Sequence, residues 1–287
     1  MASDPSVFPD PPVELPEGRI VRVHGLGELF VRDTGGSGPP VLLLHGWMFP
    51  SDLNWWRTYK PLADAGYRVL ALDARGHGRG LRASESFTLA GCASDAAALV
   101  RELGCGPVIA AGYSMGGPVA ALMARDHPDT VSALVECATA REWKDPRMRA
   151  LWSGMGVLRL WLNLFPRQAW RWGLRWGGFP DSPTTSWVAA ELSRGSARDI
   201  AEAGRELGRF DSRTWIKDLK LPAAVVVTTR DSAVPPRKQY ELAESLGAPT
   251  FEIACDHAGV TVHGEEFARV LLQALASVSD RTRAEAA

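Results

Sequence analysis

The sequence predicts an α/β protein: a doubly wound, mostly parallel, eight-stranded sheet carrying an inserted helical cap. Three observations predict it. Strand-like and helix-like segments alternate along most of the chain, the pattern of a parallel sheet covered by helices on both faces. Some strand segments, residues 41–44 above all, are unbroken apolar runs, as expected of strands buried on both sides. Residues 141–215 interrupt the alternation with helix-like sequence, too long a stretch for a simple connection.

Residues 1–18 carry Pro5, Pro9, Pro11, Pro12 and Pro16 and read as an extended arm, since proline suits neither helix nor sheet interiors. Segments 19–23 and 28–33 read as strands of a hairpin around Gly25 and Gly27. After a Gly/Pro loop comes strand 41–44, then a helix over 54–65 closed by Gly66, then strand 68–72. Leu89, Ala93, Ala96, Leu99, Val100 and Leu103 recur at helical spacing and predict a helix over 89–103. Strand 108–111, helix 118–126 and strand 131–137 follow. Beyond the cap come strand 223–228, helix 236–246, strand 250–253 and helix 265–277. The core is thus expected over 19–140 and 216–278, the cap over 141–215, and a frayed polar tail over 279–287.

Composition narrows the function. The chain has 287 residues, 46% hydrophobic and 23% charged, which excludes a disordered polymer and suffices for a full core without metal or disulfide staples. A net charge of −1 gives no general attraction for nucleic acid. Cys92, Cys105, Cys137 and Cys255 are scattered without a C-x-x-C pair, so neither a zinc site nor a disulfide framework is expected. There is no apolar run behind a basic start and no uncharged apolar stretch of membrane-spanning length. The expectation is therefore a cytoplasmic protein with no signal peptide and no transmembrane segment.

The chemistry gathers around Gly112-Tyr113-Ser114-Met115-Gly116-Gly117, between a strand and a helix. G-x-S-x-G in that setting is a nucleophile elbow: the turn is so tight that Gly112 and Gly116 must lack side chains, and it lifts Ser114 to the N-terminus of a helix. A nucleophilic serine needs a base. His257, in the loop after the last strand, is favoured over His263, which starts the final helix; His24 and His127 read as exposed or capping residues. The base needs an orienting carboxylate. Asp231 follows strand 223–228 and gives the chain order Ser114, Asp231, His257. The competitor is Glu136, inside the strand after the elbow, where it could reach the histidine or form a structural ion pair. The backbone N–H groups of Trp47 and Met115 are the expected oxyanion donors, with His45 and Gly46 shaping their loop. Residues 73–78 lack the lysine and hydroxyl of a phosphate loop, and the glycines at 35–38 precede a strand, so no nucleotide site is expected.

His45-Gly46-Trp47, Asp73-Ala74-Arg75-Gly76-His77-Gly78, the Ser114 elbow, Asp231 with Val234-Pro235, and His257 stand in an order that resembles the α/β-hydrolase superfamily. The resemblance covers roughly 19–140 and 216–278. It implies an eight-stranded hydrolase fold with Ser114, Asp231 and His257 as triad, and no metal or organic cofactor. Family members that displace alkyl groups, the epoxide hydrolases and dehalogenases, use an aspartate at the elbow. A serine suits acyl transfer. The expected activity is cleavage of an ester of an apolar acyl group. Thioester hydrolysis, C–C bond hydrolysis and acyl transfer remain alternatives on the same triad, and a non-catalytic ligand receptor is a further one.

The cap carries eight of the eleven tryptophans: Trp143, Trp152, Trp161, Trp170, Trp172, Trp176, Trp187 and Trp215. Most are expected to pack the cap onto the core, and some to line an apolar cleft. Residues 141–180 are also rich in Lys and Arg, so weak contact with a lipid surface is a further expectation.

Overall fold

The computed structural model describes residues 9–176 and 178–286. Its strands are β1 (Gly18–Val23), β2 (Gly27–Asp33), β3 (Pro40–Leu44), β4 (Arg68–Leu72), β5 (Val108–Tyr113), β6 (Val131–Cys137), β7 (Ala223–Thr228) and β8 (Thr250–Ile253). They form one sheet in the order β1-β2-β4-β3-β5-β6-β7-β8. β1 and β2 are antiparallel to their neighbours, and every pairing from β4 to β8 is parallel. Of the proline-bearing arm, residues 1–8 lie outside the described residues, and 9–17 carry neither helix nor strand.

The apolar runs explain the layering. Side chains alternate along a strand, so Leu42 and Leu44 of β3 enter one core cluster while Val41 and Leu43 enter the other. The first cluster is closed by α3 (Leu89–Leu103) and α4 (Gly116–Asp126). The second is closed by α1 (Ser51–Trp55), α2 (Tyr59–Asp64) and the last helix, α12 (Gly264–Ala286). α3 has the expected bounds. Its N-terminus is capped by the Thr88 hydroxyl, which accepts the Gly91 N–H at 2.9 Å, and it stops at Gly104 in the left-handed conformation.

Two expectations need correction. The helix expected over 54–65 is two short helices, α1 and α2, with a turn between them. Pro61 explains the break: in one continuous helix it would leave the Arg57 carbonyl without its donor and press its ring against it. The tail expected to fray from 279 instead continues α12 through Ala286. Its sequence, Arg281-Thr282-Arg283-Ala284-Glu285-Ala286, is polar but mostly composed of good helix formers.

Between β6 and β7 lie α5 (Pro146–Ser153), α6 (Met155–Leu164), α7 (Pro166–Trp176), α8 (Pro183–Leu192) and α9 (Ala197–Arg209). α8 and α9 are tied to the loop after β4. Ser196 N–H donates to Gly76 O at 2.7 Å, Arg79 pairs with Glu191 at 2.9 Å, and Phe87 N–H donates to Glu202 at 2.8 Å. α10 (Pro236–Leu246) joins β7 to β8, and α11 (Gly259–Val262) precedes α12. All four cysteines are free, with Cys92, Cys137 and Cys255 buried.

Candidate active site

Sheet order places the site. β4 lies on one side of β3 and β5 on the other, so the loops leaving β3 and β5 diverge and open a crevice at their C-terminal ends. The loop after β3 carries His45, Gly46 and Trp47, and β5 runs into the Ser114 turn. Among the described residues, three non-glycine residues have left-handed backbones, Met48 (φ 69°), Ser114 (φ 51°) and Ala138 (φ 48°). Each follows the end of one of three neighbouring strands, β3, β5 and β6, so the strained backbone is concentrated at this edge.

Ser114 is held by its surroundings. Its N–H donates to Cys137 O at 2.9 Å, and its carbonyl accepts from the Thr139 hydroxyl at 2.8 Å. The flanking glycines are there for close approach. A Cβ on Gly112 would lie 2.3 Å from Gly116 O, and one on Gly116 would lie 2.1 Å from Leu44 O. No side chain fits at either position.

The structure brings Ser114, His257 and Asp231 together. His257 Nε2 is 3.0 Å from Ser114 Oγ, and His257 Nδ1 is 2.7 Å from Asp231 Oδ2. A carboxylate only accepts, so Nδ1 carries the proton and Nε2 is left to accept from the serine hydroxyl. The Asp231 side chain is fully buried, and it is satisfied. Oδ1 accepts the Ala233 and Val234 N–H groups at 2.8 Å each, and Oδ2 also accepts the Thr228 hydroxyl at 2.8 Å. Gln239 braces Thr228 in turn, its side-chain nitrogen 2.9 Å from the hydroxyl. Tyr113, within the elbow itself, donates its hydroxyl to the His257 carbonyl at 2.7 Å and so fixes the histidine loop.

Thr228, Gln239 and Tyr113 were not anticipated from sequence. Tyr113 occupies a position the elbow pattern leaves open, and the other two matter only through tertiary contact. Asn54 is a further omission. Its Oδ1 accepts the Gly46 N–H at 2.7 Å, and a Cβ on Gly46 would lie 3.4 Å from Ser114 Cβ, so Asn54 fixes the loop that faces the nucleophile.

His45 is buried, and its ring is used up: Nε2 accepts the Ala74 N–H at 2.9 Å, and Nδ1 lies 2.8 Å from Gly46 O. Burial lowers its pKa to about 4, so it stays neutral and bridges the loops after β3 and β4. The Trp47 side chain leaves the crevice for the cap. Its indole N–H donates to Ile200 O at 2.7 Å, and its ring stands edge-on to Trp152 at 5.2 Å. His263 is exposed just before α12, His24 is exposed in the β1–β2 turn, and His127 follows α4 with its ring 3.1 Å from the Ser94 hydroxyl.

Glu136 corrects an expectation. It lies in β6 opposite Gly112 and is 1% exposed. Neither of its carboxyl oxygens has a hydrogen-bond partner among the described residues. It therefore makes neither the contact with His257 nor the ion pair expected of it. Burial raises its pKa to about 8, so at neutral pH it is mostly an uncharged acid, tucked against the first turn of α4 where a Cβ on Gly117 would meet it at 2.3 Å.

Fold and side chains together define a class: an α/β protein with a serine–histidine–aspartate constellation at the C-terminal edge of its sheet. The chain belongs to the alpha/beta hydrolase fold family, whose pattern matches residues 39–266. A non-heme haloperoxidase from Rhodococcus erythropolis is 40% identical over 109 residues, which is 38% of this chain and 39% of that protein. A fluoroacetate dehalogenase from Burkholderia sp is 39% identical over 124 residues, 41% of this chain and 40% of that one. The chain thus spans about two fifths of the length of these curated relatives. A thermophilic esterase from Thermogutta terrifontis superposes with a TM-score of 0.75 at 22% identity, covering 91% of this chain and 99% of that one. At that identity the likeness is one of fold.

Proposed function

We propose that the protein is a serine hydrolase that cleaves carboxylic esters of apolar acyl groups. The observation that carries this reading is the unbroken relay from Ser114 Oγ through His257 to the buried Asp231, at 3.0 and 2.7 Å. Ser114 Oγ attacks the acyl carbon while its proton passes to His257 Nε2. Asp231 holds the ring and stabilises the imidazolium. The Trp47 and Met115 N–H groups receive the developing oxyanion. Collapse breaks the acyl–oxygen bond, and His257 returns the proton to the leaving alcohol. Water, deprotonated by the same nitrogen, then hydrolyses the acyl-serine.

The nucleophile supports acyl chemistry over alkyl displacement. A serine that attacked an alkyl carbon would become an ether, which the same machinery could not hydrolyse. An acyl-serine is an ester and turns over. The apolar acyl preference is supported by the composition of the cap, which carries eight of the eleven tryptophans and reaches the loop after β3 through the Trp47–Trp152 contact.

Aryl esters of increasing acyl length test the proposal. Ser114→Ala should lower turnover by about 10⁴-fold or more with the fold intact, and a fluorophosphonate should label the wild type alone. In the wild type, kcat/KM should rise about fourfold per added methylene from acetyl to medium chains. Full activity in Ser114→Ala would overturn the nucleophile, and a flat length profile would overturn the apolar acyl group.

A further inference from the structure

α6 is an unusual helix for a protein surface. Met155 and Leu162 are buried, so its inner face is already supplied with apolar packing. Its outer face is apolar as well: Val157, Leu160, Trp161 and Leu164 follow one another at helical spacing and are exposed, Val157 at 75%. Arg159 and Asn163 are the polar side chains of the helix. A helix apolar all round belongs in a core or against hydrocarbon, and these outer residues lie in no core.

The patch continues past the helix. The Phe165 and Trp172 rings are 6.2 Å apart, which joins the end of α6 to α7. Trp172 and Trp176 stand one turn apart on α7 and are both exposed, Trp176 at 97%. Single exposed hydrophobes are ordinary on soluble proteins, but a contiguous patch marks an interaction surface. The charge around it is net positive. From residue 155 to 176 the chain carries Arg159, Arg167, Arg171 and Arg175 and no Asp or Glu; Asp181, just beyond, pairs with Arg175, which leaves an excess of arginine although the whole protein has a net charge of −1. Trp, Leu and Phe interleaved with Arg is the composition of a helix lying at a membrane interface, aromatic rings among the headgroups and guanidinium groups against lipid phosphate.

We infer that the outer face of α6 and α7 is a docking surface for an anionic lipid bilayer, with this end of the cap resting in the membrane–water interface. The contact lies on the membrane and does not cross it, since among the described residues no helix is long and apolar enough to span. A second copy of the chain is the poorer occupant, because a two-fold contact sets the patch against itself and so brings arginines against arginines. The inference does not depend on Ser114 or on any activity.

Co-sedimentation of the full chain with phosphatidylglycerol–phosphatidylcholine vesicles and with pure phosphatidylcholine vesicles tests it. The protein should bind the anionic vesicles, shift its tryptophan emission to the blue, and be quenched by brominated acyl chains. Added salt should weaken the binding. Arg171→Glu with Arg175→Glu should lower partitioning by about 25-fold or more, at about fivefold per cationic side chain. Trp172→Ala with Trp176→Ala should remove most of the quenching. Both pairs are exposed, and circular dichroism with hydrolysis of a soluble ester, where the wild type has it, checks that they fold. No binding to anionic vesicles, undiminished binding by both variants, or a wild-type dimer in sedimentation velocity that the Trp pair dissolves would each overturn the inference.

Discussion

Two buried carboxyl groups at adjacent strand ends meet opposite fates. Asp231, after β7, receives two backbone N–H groups, the Thr228 hydroxyl and the His257 ring. Glu136, in β6, has no hydrogen-bond partner among the described residues for either oxygen. Both carboxyl groups are removed from water, but only Asp231 has donors that satisfy its oxygens. Proximity to Ser114 therefore does not distinguish the two acids. The supply of hydrogen-bond donors does.

The largest test compares the two acids directly. Asp231→Asn should lower kcat by about 10⁴-fold, because an amide no longer fixes the imidazole tautomer. Glu136→Gln should change kcat by less than about threefold at neutral pH. Steady-state kinetics on folded variants decides, and the opposite ranking would move the orienting role to Glu136.

A second test uses pH. The Glu136 pKa is about 8 in the folded protein against an ordinary 4.5. Between those values the native state holds a proton that the unfolded chain releases, so this group's contribution lowers stability as pH rises and levels off above about 8. The effect should amount to a few kcal/mol, on the order of one per pH unit. Urea unfolding across this range should show the decline in the wild type and its loss in Glu136→Gln. Parallel curves for the two proteins would mean the carboxyl is solvated or paired.

The smallest expected effect concerns the donors themselves. Thr228→Val removes one of the hydrogen bonds to Asp231 and should lower stability by about 1–2 kcal/mol and kcat/KM by roughly tenfold. Unchanged kinetics would show that the two backbone N–H groups alone orient the carboxylate.

The difference between the acids also marks what a sequence reveals. Ser114, Asp231 and His257 were legible because each sits in a short pattern, an elbow or a post-strand loop, whose local geometry determines where it points. The strands were legible for the same reason, the central ones as apolar runs and the first two as a hairpin around Gly25 and Gly27. The surroundings of Glu136 were not, because whether a donor faces a strand residue depends on α4 and on neighbouring strands. Thr228, Gln239 and Asn54 escaped likewise. The split of the 54–65 segment was readable from Pro61, whose ring and missing N–H do not fit the interior of one continuous helix.

Trp47 belongs to two parts of the molecule at once. Its backbone lies in the loop facing Ser114, while its indole is fastened to the cap, to α9 by the bond to Ile200 and to α5 by the edge contact with Trp152. Any movement that lifts α9 must either break that bond or drag the loop with it. The structure is in this respect an interlock: the seating of the cap and the shape of the loop facing Ser114 are not independent settings.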